Sequence, residues 1–587
     1  MNILGISGFE NAVSFKRAHW PGLNDREYRI SQGHDAAAAL ICSGEVVAAA
    51  AEERFNRLKH SGAFPVGAVS YCLGERGMRI GDVDEIVHGF DYAPYQAIYA
   101  MDSLSTELYR TVFSREALLR LVQRHCPGFP DEKVFHVDHH LAHAASAYFT
   151  SGWDECLVVV MDGMAEVAGA TVYRGCCGKL NKLLQMSASH SIGILYSLVT
   201  LHLGFDFNAD EYKIMGLAPY GRPERFREFF NQLVELRHDG SIRIPILNLN
   251  RTRDDRESYR TTRQYLHERL IPERLPDEAL TDDHRDVAAA LQECLERAVF
   301  HICGTARNLT GLRRVALAGG VALNCTANGK LIQSGVFDEV YVQPAAGDDG
   351  VALGAALYRA SLGGEIRNAR FPPPLLGPAY SMEEIEAELE EFHDRVDVVR
   401  FRTTEEACAN AASVIADGKV IAWYRGRMEY GPRALGNRSI LADPGHPEMR
   451  ERINAMVKKR EGFRPFAPAV SLEQVHIWFD VNPDTAMPYM ISVVDVRREY
   501  RATLPAITHV NGSARVQAVS ASDNPDFHLL LKAVGKATGR EMVLNTSFNV
   551  KGQPIVNTPR EAIETFLGTG IELLFLENVR LCARKTS

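Results

Sequence analysis

The chain has 587 residues, enough for two or three domains that each bury a core of their own. A net charge of -9 argues against bulk nucleic-acid binding, and 46% hydrophobic with 24% charged residues describes an ordinary soluble enzyme. No apolar stretch approaches the roughly eighteen residues of a membrane span, and the N-terminus has no basic region followed by an apolar signal core. None of the eleven cysteines forms Cys-x-x-Cys, so the expectation is a cytoplasmic protein with reduced, buried thiols rather than a zinc site or a disulfide framework.

In chain order, residues 2–7, 36–42 and 45–51 read as short apolar strands, the last two joined by a Ser43-Gly44 turn. His34-Asp35 and the charged run 52–60 flank this hairpin. His34 is a candidate general base because the ordinary imidazole pKa lies near the working pH, and Arg57 and Lys59 could hold an anion. A solvated charged turn is the plain alternative. Further strands are expected at 135–137 and 157–162. Between them, Asp138-His139-His140-Leu141-Ala142-His143 opens a helix-forming stretch in which His139 and His143, four apart, share one face and can reach one ion. Asp162 ends its strand, and Asp348-Asp349 precede the helix-like 351–362. Two histidines with one or two aspartates suit iron, manganese or zinc better than calcium or magnesium. Core or capping histidines are the alternative.

Residues 286–309 read as a long helix and 314–318 as a buried strand that runs into Gly319-Gly320-Val321-Ala322-Leu323-Asn324. A glycine pair between strand and helix leaves room for a nucleotide against the backbone. Gly350 and Gly354 add close approach on a neighbouring loop, and Lys213 could line the same cleft. No internal repeat stands out. The proline-rich stretch within 364–380 is a stiff connector, and 382–392 is acidic and helix-forming. The expected division is a domain at 1–366, a linker at 367–398 and a second α/β domain at 399–587.

Past the apolar run 420–424 comes the most distinctive segment, 426–441, with three glycines, a proline and three arginines. Glycine permits close backbone approach and guanidinium groups pair with phosphate or carboxylate oxygens, so this reads as an anion-handling loop. From Arg425 to Arg464 ten Lys/Arg face five Asp/Glu, which suits a small anionic ligand on an otherwise acidic chain. Asn545 and Ser547 lie in a polar strand terminus that can supply amide and hydroxyl groups. There is no Walker P-loop and no Gly-x-Ser-x-Gly elbow.

Together these segments resemble the ATP-dependent carbamoyltransferases of natural-product biosynthesis, the group of nodulation protein U, cephalosporin O-carbamoyltransferase and tobramycin carbamoyltransferase. The carriers are His34-Asp35, 52–60, 139–147, Asp162-Gly163, 213–218, 319–324, 348–354, 426–441, 463–468 and 545–549. The resemblance implies an N-terminal domain like the tRNA threonylcarbamoyl-transferase, with an actin/sugar-kinase (RNase H-like) ATPase core, and a C-terminal YrdC-like α/β domain. It implies that the C-terminal domain makes carbamoyl-adenylate from ATP and carbamoyl phosphate, and that the N-terminal domain passes the carbamoyl group to a small-molecule hydroxyl or amine.

The roles that follow from the resemblance are specific. His139, His143, Asp162 and Asp348 would hold the metal, iron first, with manganese or zinc as alternatives, and magnesium would accompany ATP. His34, Asp35 and Lys59 would serve the transfer, and Lys213, Gly319, Gly320, Asn324 and Gly350 the nucleotide. Arg433, Arg438, Lys458, Arg464 and Arg515 would cradle the phosphates, with Asn545 and Ser547 orienting the carbamoyl end. One departure is visible: the segment 9–33 sets His34 much later than in the group, where the His-Asp pair closely follows the first strand. A tRNA threonylcarbamoylation enzyme and a non-catalytic actin-like nucleotide sensor are the alternative readings. The acidic net charge and the fused domain order stand against the first; ATP binding independent of carbamoyl phosphate would mark the second.

Overall fold

The computed structural model describes residues 1–366, 373–459, 461–483 and 485–584, the side chain of Lys458 excepted. By their contacts these residues form two units, one of 1–56, 60–327 and 334–366, the other of 57–59, 328–333 and 373–584.

The first unit holds two five-stranded sheets. One is built from β1 (Asn2–Ile6), β2 (Ala37–Cys42), β3 (Glu45–Ala51), β4 (Glu85–His88) and β5 (Val134–His136), in the order β3-β2-β1-β4-β5. The other uses β6 (Glu155–Met161), β7 (Ala168–Cys176) and β8 (Lys179–Ser187), then, past the small pair β9 (Glu235–Leu236) and β10 (Ile242–Arg243), β11 (Arg314–Ala318) and β12 (Glu339–Val342). Its order is β12-β11-β6-β7-β8. In each sheet three antiparallel strands come first and two parallel strands are added to the other side of the first. The unit therefore repeats one topology, a duplication of architecture that the sequence, in which no repeat stands out, does not announce. The sequence hides it because strand order depends on long crossovers, not on local residue pattern.

A helix follows the last strand of each sheet, His139–Ser151 after β5 and Asp349–Leu362 after β12. Each crosses to the opposite sheet: His139–Ser151 packs on β6 and β11, Asp349–Leu362 on β1 and β2. The two helices also pack on each other. Small residues make this possible. A Cβ on Gly354 would lie 1.8 Å from Ala142 O, and one on Gly5 of β1 would lie 1.9 Å from Ala352 O. The alanines of β2 and β3 serve the same closeness, since all of Ala37–Ala39 and Ala48–Ala50 are at most 1% exposed.

The second unit is built on a mixed sheet of eight strands. They are β13 (Val396–Arg400), β14 (Ile421–Tyr424), β15 (Arg438–Ala442), β16 (Ala467–Ser471), β19 (Gln517–Val519), β20 (Met542–Ser547), β21 (Leu573–Leu576) and β22 (Val579–Ala583). The short pair β17 (Val493–Asp495) and β18 (Ser513–Arg515) stands apart from it. Strand order is β13-β22-β21-β14-β15-β20-β16-β19. On one face Trp423, Phe527 and Phe575 pack with the helices Thr404–Ala416 and Pro525–Thr538. The other face buries Tyr424, Phe466, Phe548 and Leu574.

The expected linker 367–398 is too long. The helix Met382–Glu391 buries Ile385 and Leu389 in this core, and β13 pairs along its length with β22, so most of that stretch belongs to the domain. Residues 367–372 lie outside the described residues. The cysteines are all free; of the thiols expected to be buried, Cys156 and Cys303 are and Cys42 is only half-buried, while Cys177 and Cys582 are exposed. Among the described residues no helix is long and apolar enough to cross a membrane.

Candidate functional site

Four side chains from three separate elements meet in the first unit. His139 and His143 stand one turn apart at the start of their helix, Asp162 follows β6, and Asp348 caps the helix Asp349–Leu362. Their ligand atoms all lie within 4.8 Å of one another. His139 Nε2 is 3.4 Å from Asp162 Oδ2 and 3.5 Å from Asp348 Oδ1; His143 Nε2 is 4.0 Å and 3.6 Å from the same two atoms. Both imidazoles are 0% exposed, and their Nε2 atoms make no hydrogen bond among the described residues. Buried polar atoms are rarely left so, and two bare imidazole nitrogens facing two carboxylates form a donor set that fits a divalent transition metal.

The surroundings orient these groups. His139 Nδ1 lies 3.1 Å from Gly89 O, and since a carbonyl only accepts, Nδ1 carries the proton and Nε2 faces the cluster. The Phe90 ring stacks on His139 at 3.8 Å. Glu166, which sequence reasoning missed, accepts from the backbone N–H of His139 at 3.1 Å and of Asp91 at 2.7 Å. Burial and the nearby Asp138 push the Glu166 carboxyl up to about 7. Gly320 N–H donates to Asp162 Oδ1 at 2.9 Å.

Electrostatics bind the four together. Burial disfavours a charge on His139, but Asp348 and Asp162 outweigh it and hold the imidazole well above its ordinary pKa. Burial alone would raise both aspartates; the histidines overcome it and keep them below the usual carboxylate range. His140, on the same helix, donates to or accepts from Thr171 Oγ1 at 2.7 Å, and burial lowers it to about 3.

The other expected residues are placed as follows. His34 is half-buried, with Nε2 3.2 Å from Arg29 O and 3.1 Å from Ser31 Oγ, and burial lowers its pKa. Asp35 meets His60 Nδ1 at 2.8 Å, and with Glu53 these form a second close group of ionisable side chains, drawn from the two charged segments that flank the early hairpin. Lys59 is exposed and groups with the second unit. Lys213 pairs with Asp210 at 2.8 Å.

Gly319 has φ +87, and a Cβ there would stand 2.3 Å from Met161 O, so its glycine lets β11 run close beside β6. Gly350 is equally confined, 1.9 Å from Ala345 O. Asn324 is spent on Gln292, donating at 2.9 Å and accepting at 3.0 Å, and it also accepts from Ala327 N–H. Gly319 and Gly350 are thus fixed by close packing, and the side-chain amide of Asn324 is engaged within the protein.

In the second unit the 426–441 loop is held by two buried charges. Glu429 Oε1 accepts from the N–H groups of Leu435, Asn437 and Arg438. Arg438 is 0% exposed; its Nη1 donates to the carbonyls of Arg425, Gly426 and Asn437, its Nη2 to Pro378, and it lies 3.6 Å over the Tyr424 ring. The expectation that Arg438 cradles phosphate is corrected: the carbonyls of the loop already hold its guanidinium.

Arg433, Arg464 and Arg515 are half-buried, with Arg464 3.6 Å from Glu461. The Lys458 side chain lies outside the described residues. Asn545 is buried on β20, donating to Gln517 Oε1 at 3.0 Å, while its own Oδ1 has no hydrogen-bond partner among the described residues. Ser547 donates to Asn549 Oδ1 at 2.7 Å.

Comparison with known proteins gives two family matches, "Carbamoyltransferase N-terminus" over residues 28–357 and "Carbamoyltransferase C-terminus" over 412–583. Nodulation protein NolNO of Sinorhizobium fredii is 39% identical over 94% of this chain and 80% of its own length. An uncharacterised protein of Synechocystis is 38% identical over 93% of this chain and 94% of its own. The 3'-hydroxymethylcephem-O-carbamoyltransferase of Streptomyces clavuligerus is 36% identical over 41% of this chain and 43% of its own. Among solved structures, HypF of T. kodakarensis is 14% identical, covering 62% of this chain and 49% of that one with a TM-score of 0.29. Component A of (R)-2-hydroxyglutaryl-CoA dehydratase from Acidaminococcus fermentans is 13% identical, covering 62% and 99%, with a TM-score of 0.33. Scores this low carry no weight for the fold or the chemistry.

Proposed function

Since the chain belongs to the carbamoyltransferase family, with both its N-terminal and C-terminal regions, we propose that it carbamoylates a hydroxyl or amine of a small natural product in two ATP-dependent steps. In the first, on the C-terminal unit, carbamoyl phosphate loses its phosphate to water and the carbamate attacks the α-phosphorus of ATP. Carbamoyl-adenylate forms and pyrophosphate leaves. In the second, on the N-terminal unit, the acceptor attacks the carbamoyl carbon and AMP leaves.

The observation that carries the reading is the buried quartet with its two bare imidazole nitrogens. His139, His143, Asp162 and Asp348 would hold the metal, for which iron is the first choice and manganese or zinc the alternatives. Bound there, such an ion supplies Lewis-acid polarisation of a carbonyl or phosphoryl oxygen. His34 is the proposed base. Its Nε2 must donate to the Arg29 carbonyl, so Nδ1 is the atom that takes the acceptor's proton, and burial keeps the ring neutral for that task. Arg433, Arg464 and Arg515, with Lys458, are proposed to bind the phosphates of ATP and carbamoyl phosphate, with magnesium accompanying ATP. The partnerless amide oxygen of Asn545 is suited to accept from a carbamoyl N–H.

The test needs no acceptor. Purified protein is incubated with ATP, with and without carbamoyl phosphate, and pyrophosphate and AMP are followed by chromatography. Pyrophosphate that depends on carbamoyl phosphate is the expected result. ATP binding without that dependence would overturn the reading in favour of a nucleotide sensor, and salt-sensitive tRNA binding would favour a tRNA-modifying role.

A further inference from the structure

The segment 9–33, which separates β1 from the His34-Asp35 pair, is firmly seated in the first unit. It carries the helices Ala12–His19 and Asp25–Tyr28. Lys16 is 3% exposed, and its ammonium donates to the carbonyls of Glu27, Ile30 and Glu257 at 3.0, 2.6 and 2.6 Å. Arg26 donates to the carbonyls of Leu201 and Phe205, and Trp20 Nε1 to Asp254 at 2.9 Å. Charge-assisted bonds to buried carbonyls on this scale are not those of a lid that opens freely.

From this anchored segment one side chain, Gln32, spans the surroundings of the quartet. Its Nε2 donates to Met164 O at 2.9 Å and to Ala165 O at 2.7 Å, in the loop between the quartet's Asp162 and Glu166. Its Oε1 accepts from the Tyr92 hydroxyl. Tyr92 stacks on Phe90 with ring centroids 6.3 Å apart, and Phe90 stacks on His139. Phe9, at the start of the segment, braces Phe90 from another side at 4.7 Å. One amide therefore touches the loop that follows one quartet carboxylate and the aromatic stack behind one quartet imidazole.

We propose that Gln32 is a positioning residue, through which the segment 9–33 sets the relative placement of Asp162 and His139. The inference rests on the metal reading of the quartet. Outer groups that orient metal ligands change affinity by about 10–100-fold when removed. Because Lys16, Arg26 and Trp20 hold the segment without help from Gln32, its replacement leaves the segment in place and frees only the loop and the stack.

The test uses the full chain, stripped of metal and titrated with Co(II), whose visible bands report ligand geometry. Gln32→Leu removes the bridge at similar volume; Gln32→Glu keeps the shape but sets a carboxylate against two carbonyls. Both are expected to shift the Co(II) bands and to weaken Co(II) binding about tenfold at a temperature well below either variant's unfolding midpoint. Unchanged band positions with binding within twofold of wild type, in whichever variant folds, would overturn the positioning role while leaving the quartet intact. His139→Ala separates the two failures: bands that survive it would remove the metal reading, and this proposal with it.

Discussion

Arg438 offers a sharp separation of structure from chemistry in the second unit. Replacing it with methionine fills much of the volume but removes a guanidinium that serves four carbonyl oxygens and a tyrosine face. Nη1 has two protons for three acceptors and Nη2 gives one to Pro378 O, so the four contacts are at most three bonds, of which two are taken at full strength. At about 1.5–3 kcal/mol for each hydrogen bond to a charged group, the expected loss is about 3–6 kcal/mol. For a domain of about 150–250 residues each kcal/mol moves the midpoint by about 2–4 °C, so the transition of this unit should fall by at least about 6 °C. Differential scanning calorimetry of the full chain measures it. Arg433→Ala, half-buried and outside that carbonyl set, should shift the midpoint far less. If Arg438→Met kept its midpoint within about 1 °C and lost pyrophosphate release, the brace argument would fail and a direct phosphate contact would take its place.

The remaining predictions probe other parts of the molecule. Arg433→Ala should abolish carbamoyl-phosphate-dependent pyrophosphate release yet still transfer from supplied carbamoyl-adenylate; His139→Ala should do the reverse, and loss of the same half-reaction by both would refute the division between units. Gly319→Ala, at φ +87 and 2.3 Å from Met161 O, should sharply lower the yield or melting point of the folded protein, while Gly163→Ala, with nothing within 4 Å, should melt like wild type. Burial, helped by His136, lowers His88 to about 4, so the folded protein keeps it neutral where the unfolded chain takes up a proton. That stability is full above pH 6.5 and lost as pH falls toward 4. The stability gap between wild type and His88→Gln, measured by urea unfolding, should therefore shrink by about 3 kcal/mol across that window; a gap constant with pH would show that His88 titrates normally.

Much of this was legible from residues alone, and the gaps have physical causes. Spacing on a helix placed His139 and His143 on one face, and strand ends pointed to Asp162 and Asp348, because periodicity and chain direction are local properties. Glu166 and Gln32 act through backbone groups far along the chain, and no local pattern marks them. Arginine content marked the 426–441 loop, yet composition does not distinguish an arginine bound to carbonyls from one bound to phosphate; Arg438 is the first kind. The duplication escaped notice because two sheets can share strand order while their side chains diverge. The connector was drawn too long because a helix at 382–392 is legible in the sequence but its packing partner is not: capped by Ser381 accepting from Glu384 N–H, it buries Ile385 and Leu389 in the second domain.

The crossed helices of the first unit also constrain its mechanics. Where Ala142 O lies against Gly354, the two backbones leave no space for a methyl group, so neither helix can slide past the other. Any rotation that spread the two sheets would have to turn about that contact, as a door turns about its pin. Displacement grows with distance from a pivot, and His139, His143 and Asp348 stand within about two turns of it along their own helices. Any such turn would move the sheet edges more than these three ligand groups.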